Sequence, residues 1–240
     1  MHIVALTALA TPVDKAAAAL AAALGTTAYE ERLKLAVGLP AVVATTPDAA
    51  RAASLAAALA AHGHRVLAVA SADVVAAAEM VSLRRFALDD DALVAADRGE
   101  RLPWSDIAVL VRAIDRRRVE TSTTVTEKKL DVVRIVASGG LVRNKKTTRE
   151  VTTRADESEP VLFVFRGSGA TPWILREQGT HYEALGARLS PTAAPNFVAT
   201  VAELRARAPQ ARYDERLVTR RGIASSQDLE LLAHLVARSP

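Results

Sequence analysis

Cysteine is absent from all 240 residues. That excludes a disulfide scaffold and thiolate metal sites, and it fits a reducing compartment, so a cytoplasmic location is expected. Aromatic residues make up only 4%, too few for a stacking platform for nucleic-acid bases. No run of about 18 uninterrupted apolar residues occurs, so no membrane span is expected. No nucleophile elbow of the pattern Gly-x-Ser-x-Gly is present, no His or carboxylate cluster has ligand spacing, and no glycine-rich loop lies between a strand and a helix. No metal or cofactor is expected. The opening "MHIVALTALATPVDK" lacks a basic region ahead of its apolar run, and Pro12 and Asp14 interrupt it. It reads as a first strand and not as a signal peptide.

Half of the residues are apolar, but alanine supplies much of that. Alanine buries little area, so the helices it forms need close packing. Net charge is +4 and unevenly spread: residues 1–80 carry 5 basic and 6 acidic residues, residues 81–240 carry 26 and 21. The basic excess permits an anionic partner. Near residue 80 the chain also changes from Ala/Leu/Val with helical periodicity to Thr/Val/Arg with strand-like alternation.

The first part reads as β-α-α-β-α-β. His2–Leu9 is a strand. Val13, Ala16, Ala17, Leu20 and Leu24 form a helical stripe that Gly25 ends. Thr27 and Glu30 give a capping box for a short helix with Leu33, Ala36 and Val37 on one face. "PAVVATT" is a strand. Thr46 as N-cap with Pro47 opens a helix to about Ala61, "HGH" breaks it, and "RVLAVAS" is the third strand. The stretch Leu24–Ala70, with Pro40, the helix 47–61 and Gly63 as its punctuation, resembles the C-terminal domain of the bacterial ribosomal stalk protein and the Clp protease adaptor that shares its fold. The resemblance implies that fold. It does not carry over contact with translation factors, because Lys15 is the only basic residue of the first helix.

The second part opens with two short strands around Asp89-Asp90-Asp91 and a turn at Arg98-Gly99. A strand headed by Trp104, with Asp106 and Ile107, follows. This stretch resembles the opening of bacterial pleckstrin-homology-like domains, which implies a bent sheet closed by one amphipathic helix. Further strands are expected near 119–126, 130–137, 149–154, 160–166 and 172–177. The closing helix falls at Pro195–Ala208, with Phe197, Val198, Val201 and Leu204 on one face. The predicted fold class is α+β: a small β-α-α-β-α-β domain over 1–75, a mostly antiparallel pleckstrin-homology-like β domain over 80–210, and a charged extension over 211–240 with a helix from Ser226 to Arg238. That helix either packs on the core or meets a partner. Trp104 and Trp173, both preceded by proline, read as core anchors.

Few residues suggest chemistry. Ser168, between two glycines, reads as a hairpin turn. So does Gly139-Gly140 ahead of Lys145-Lys146. His62 and His64 read as a helix end with a cationic residue near the dipole. His181 beside Glu183 reads as a loop or short helical turn. The basic residues Arg116, Arg117, Arg118, Lys128, Lys129, Lys145 and Lys146 are the candidate partner contacts. The expected function is non-enzymatic: two modules for protein–protein interaction or regulatory scaffolding. One alternative is nucleic-acid or anionic-surface binding through the arginine-rich second half, although Asp89-Asp90-Asp91 would repel a phosphate headgroup. The other is an enzyme of unrecognised type using His181, Glu183 or Arg176.

Overall fold

The computed structural model describes residues 1–129, 145–220, 222–223 and 225–239. The chain is α+β and divides into two units. One holds 1–115 together with 159–240, and the other holds 116–158.

The compact unit begins with the order read from the sequence: β1 (His2–Ala8), α1 (Val13–Leu24), α2 (Ala28–Ala36), β2 (Ala41–Thr46), α3 (Ala49–Ala61) and β3 (Arg65–Ala70). β1 lies between β2 and β3 and is antiparallel to both. Alternation along β1 divides its side chains between two cores. Val4 and Leu6 pack with α1 (Ala16, Ala17, Leu20), Leu35 of α2 and Leu59 of α3. Ile3 and Ala5 face the other way and join a different cluster.

Local chemistry sets these helices. α1 ends at Gly25, whose φ of 69° is the left-handed conformation that closes a helix without a Cβ clash. At α2 the capping box is complete: the Thr27 hydroxyl accepts from the Glu30 N–H, and the Glu30 carboxylate accepts from the Thr27 N–H. The inward face of this helix differs from the expected one. Glu31 and Leu35 point inward, while Leu33 is 51% exposed. The start of α3 also differs. Asp48 is the N-cap, because its carboxylate accepts from both Ala50 and Arg51 N–H groups. Thr46 stays at the end of β2, its hydroxyl accepting from the Asp48 N–H.

The second sheet has the order β11-β8-β9-β10-β4. Its strands are β4 (Val81–Ser82), β8 (Ile107–Lys129), β9 (Lys145–Arg166), β10 (Trp173–Arg176) and β11 (Arg212–Leu217). It is mixed: β10 is antiparallel to β9, whereas β4 lies parallel to β10 and β11 parallel to β8. β5 (Phe86–Leu88), β6 (Ala92–Ala95) and β7 (Glu100–Pro103) form a separate antiparallel meander that turns at Asp89-Asp90-Asp91 and Arg98-Gly99. Asp89 and Asp91 grip Arg101 at 2.6 and 2.7 Å across the first turn.

The runs Val109–Val111 and Val161–Phe165 are apolar without alternation because both faces of this sheet are covered. Leu110, Leu162, Val164, Trp173 and Leu175 lie on one face, against the meander and α4 (Ala193–Arg207). Phe197, Val201 and Leu204 of α4 are buried there, but Val198 is 53% exposed and Thr200 takes an inward place instead. Val109, Val111, Phe163, Phe165 and Ile174 lie on the other face. They pack with Ile3 and Ala5 of β1, Val69 of β3, and Leu229, Leu232, Leu235 and Val236 of α5 (Ser226–Arg238). The tail helix therefore packs on the core, and this core draws on β1 and β3, on the central strands and on the tail.

β11 falls where the sequence reads as a charged extension. Its charge is neutralised locally: Asp214 is buried between Arg212 at 3.1 Å and Arg216 at 2.8 Å. Arg212 also donates to the carbonyls of Val236 and Ser239, which ties the strand to the end of α5. The strands expected near 119–126, 149–154, 160–166 and 172–177 merge into β8, β9 and β10. The strand near 130–137 and the Gly139-Gly140 turn lie outside the described residues.

Candidate functional site

Both tryptophans are buried in one cluster. Trp173 is fully enclosed, and its Nε1 has no hydrogen-bond partner. Trp104 begins a short 3-10 turn ahead of β8, donates from Nε1 to the Asp89 carbonyl at 3.1 Å, and carries the Arg207 guanidinium 5.6 Å from its ring centre. Asp106, just after the first Pro-Trp pair, meets residues of the turn that leads to the second. Its carboxylate accepts from Arg166 Nε at 2.8 Å, from the Ser168 N–H at 2.9 Å and from the Ser168 hydroxyl at 3.1 Å. Burial alone would raise this carboxyl. The three donors outweigh that and hold it below the usual range. Ser168 thus sits in the turn between β9 and β10 as the donor to the Asp106 carboxylate, which Arg166 also holds.

His64 is buried, and its Nδ1 accepts from the Ala10 N–H at 3.1 Å. Burial, then the neighbouring His62, lower its pKa. His64 is a neutral acceptor and not the cation expected at the end of α3; His62 occupies that helix end. His181 and Glu183 are both exposed, with Nδ1 3.6 Å from the carboxylate. Arg176 is spent on Asp115 at 2.9 Å and Glu159 at 3.1 Å. No group of three or more His, Asp or Glu residues with metal-binding placement occurs among the described residues. No described helix is long and apolar enough to cross a membrane.

The candidate partner contacts fall on two neighbouring strands. Arg116, Arg117, Arg118, Lys128 and Lys129 belong to β8, and Lys145 and Lys146 open β9. β8 has 23 residues and β9 has 22, whereas their outer neighbours β11 and β10 have 6 and 4. The pairings of those short strands lie at 161–164 of β9 and 109–113 of β8, so among the described residues β8 and β9 have only each other as sheet neighbours over 116–158. Residues 116–158 hold 11 basic and 6 acidic residues. Their net of +5 exceeds the +4 of the whole chain, so the remaining residues are together close to neutral.

Sequence reasoning missed one feature. A cleft of about 930 Å³ in the compact unit is lined by Met80, Ile174, Arg84, Arg85, Arg98, Arg176, Asp97 and His181, among others. The adjacent arginines in "LRRF" and the turn "DRGE" were its signals. Their convergence depends on the loop after β10, almost a hundred residues further on.

The chain matches no protein-family model, no curated protein and no solved structure.

Proposed function

We propose that the protein is a non-enzymatic interaction protein whose partner-binding element is the β8–β9 ribbon over 116–158. The observation that carries this reading is the mismatch of strand lengths. Two strands of 23 and 22 residues continue past neighbours of 6 and 4. A two-stranded ribbon is marginal by itself in water, and its open edges offer backbone donors and acceptors to another chain. Strand addition satisfies those edges and would give affinity. The net +5 of the ribbon supports an acidic partner.

In this reading the first sheet with α1–α3 is stalk-domain-like, on the strength of its β-α-α-β-α-β order. The second sheet is pleckstrin-homology-like, on the strength of the Asp89-Asp90-Asp91 turn, the Trp104-Asp106-Ile107 entry and the packing of α4. The absence of cysteine supports action in a reducing compartment such as the cytoplasm.

Paired affinity capture tests the proposal. The full chain is compared with a variant in which a short Gly-Ser linker replaces residues 117–157, each from extract with and without nuclease treatment. A protein held by the full chain and lost by the variant is the expected result. Retention that disappears with nuclease treatment would identify nucleic acid as the ligand, and equal retention by both forms would remove the ribbon from the function.

A further inference from the structure

We infer that the arginine-lined cleft of the compact unit is a binding site for a small molecule that carries a phosphate ester. This does not depend on the role of the ribbon. Arg84, Arg85, Arg98 and Arg176 line one cavity with Asp97, and Arg176 is already paired with Asp115 and Glu159. Elsewhere in the compact unit arginines are commonly satisfied by acids: Arg101 by Asp89 and Asp91, Arg207 by Glu203, Arg212 by Asp214. Arg84 and Arg85 make no such pair among the described residues, and Arg98 reaches only Glu100, at 3.7 Å. Like charges gathered in one concavity repel each other unless an anion is bound.

The wall that carries them is built for a fixed geometry. The Arg84 carbonyl accepts from the His181 N–H at 2.8 Å, and the Arg85 carbonyl from the Ala96 N–H at 2.9 Å. The Thr180 hydroxyl is 3.3 Å from the Leu83 carbonyl and donates to the Arg176 carbonyl at 2.6 Å. The backbone beneath Arg84 and Arg85 is thus tied to the loop after β10 and to the end of the meander, so little order has to be gained on binding.

The donor set favours phosphate over carboxylate. Arg84 and Arg85 make no ion pair among the described residues, and each can match phosphate oxygens with two parallel donors. The cleft volume is that of an ordinary small-molecule site.

Inorganic pyrophosphate is the probe, titrated calorimetrically into the full chain at low salt. Saturable binding is expected, about tenfold weaker in Arg84→Gln and again in Arg85→Gln. The melting temperature should not change, because both side chains are exposed and unpaired. Arg65→Gln, remote from the cleft in sequence and absent from its lining, serves as control and should bind as the parent does. The ribbon-replaced chain should also bind as the parent does, which separates failure here from failure of the ribbon proposal. Vesicles of phosphatidic acid in phosphatidylcholine distinguish the source of the phosphate. Cosedimentation lost in Arg84→Gln assigns a lipid head group, and binding of pyrophosphate alone assigns a soluble ester. No pyrophosphate binding at millimolar concentration, or binding that both substitutions leave intact, would overturn the assignment.

Discussion

At the residue scale, a few polar groups with several partners tie distant segments of this alanine-rich chain together. Asp106 receives three hydrogen bonds from Arg166 and Ser168, and joins the entry of β8 to the turn after β9. Asp106→Ala leaves those donors unmatched and should cost about 1–3 kcal/mol, read as a lowered denaturant midpoint. His234, on α5, is 5% exposed, and its Nε2 accepts from the Val75 N–H at 3.1 Å. Burial pushes its pKa down to about 4, against the opposing pull of the Val75 carbonyl and with Arg238 adding to the fall. The ring is neutral in the folded chain. Between about pH 6.5 and 4 the unfolded chain binds the extra proton, so stability is complete above that window and falls with acidification through it. His234→Gln should remove about 2 kcal/mol of the loss between pH 6.5 and pH 5, measured by urea titration at the two pH values. An unchanged loss would place the acid sensitivity at another group, such as His64.

At the element scale, the sequence shows what local periodicity and capping determine, and it hides what distant segments determine. The β-α-α-β-α-β order was legible because Gly25, the Thr27–Glu30 box and the Gly63 break are local signals. The face of α2 was not, since Leu33 and Leu35 are equally apolar and only packing against α1 and β2 selects Leu35. Asp48 took the cap from Thr46 because a carboxylate two residues on reaches two N–H groups. β11 was missed because its neutralising pairs, Arg212 and Arg216 on Asp214, make a strand look like a solvated tail. The seven basic candidates were legible as residues and as strands, but their placement on a long unaccompanied pair was not. Strand lengths become informative only when the neighbours are known. α5 was legible as a helix, while its role was open until the core was seen. Leu235 is fully buried between α5 and the second sheet. Leu235→Asp should therefore cost about 4 kcal/mol and abolish cooperative melting of the compact unit. A mild effect on melting with loss of a partner would instead make α5 a docking helix.

At the scale of the whole molecule, two kinds of construction share one chain. The compact unit has three apolar clusters and near-neutral charge, and the short strands of its second sheet are backed by helices. The second unit is a pair of long strands with a basic excess. The central claim is that this second unit meets an acidic protein through its strands. Site-specific photo-crosslinking in nuclease-treated extract is the most direct measurement. The photoreactive residue is placed in turn at each position from Val119 to Thr126, so that both sides of β8 are sampled, and at Thr27 of the compact unit as reference. The account predicts a discrete cross-linked protein from ribbon positions and none from Thr27. Cross-links of equal yield at Thr27, or none from any ribbon position, would contradict it.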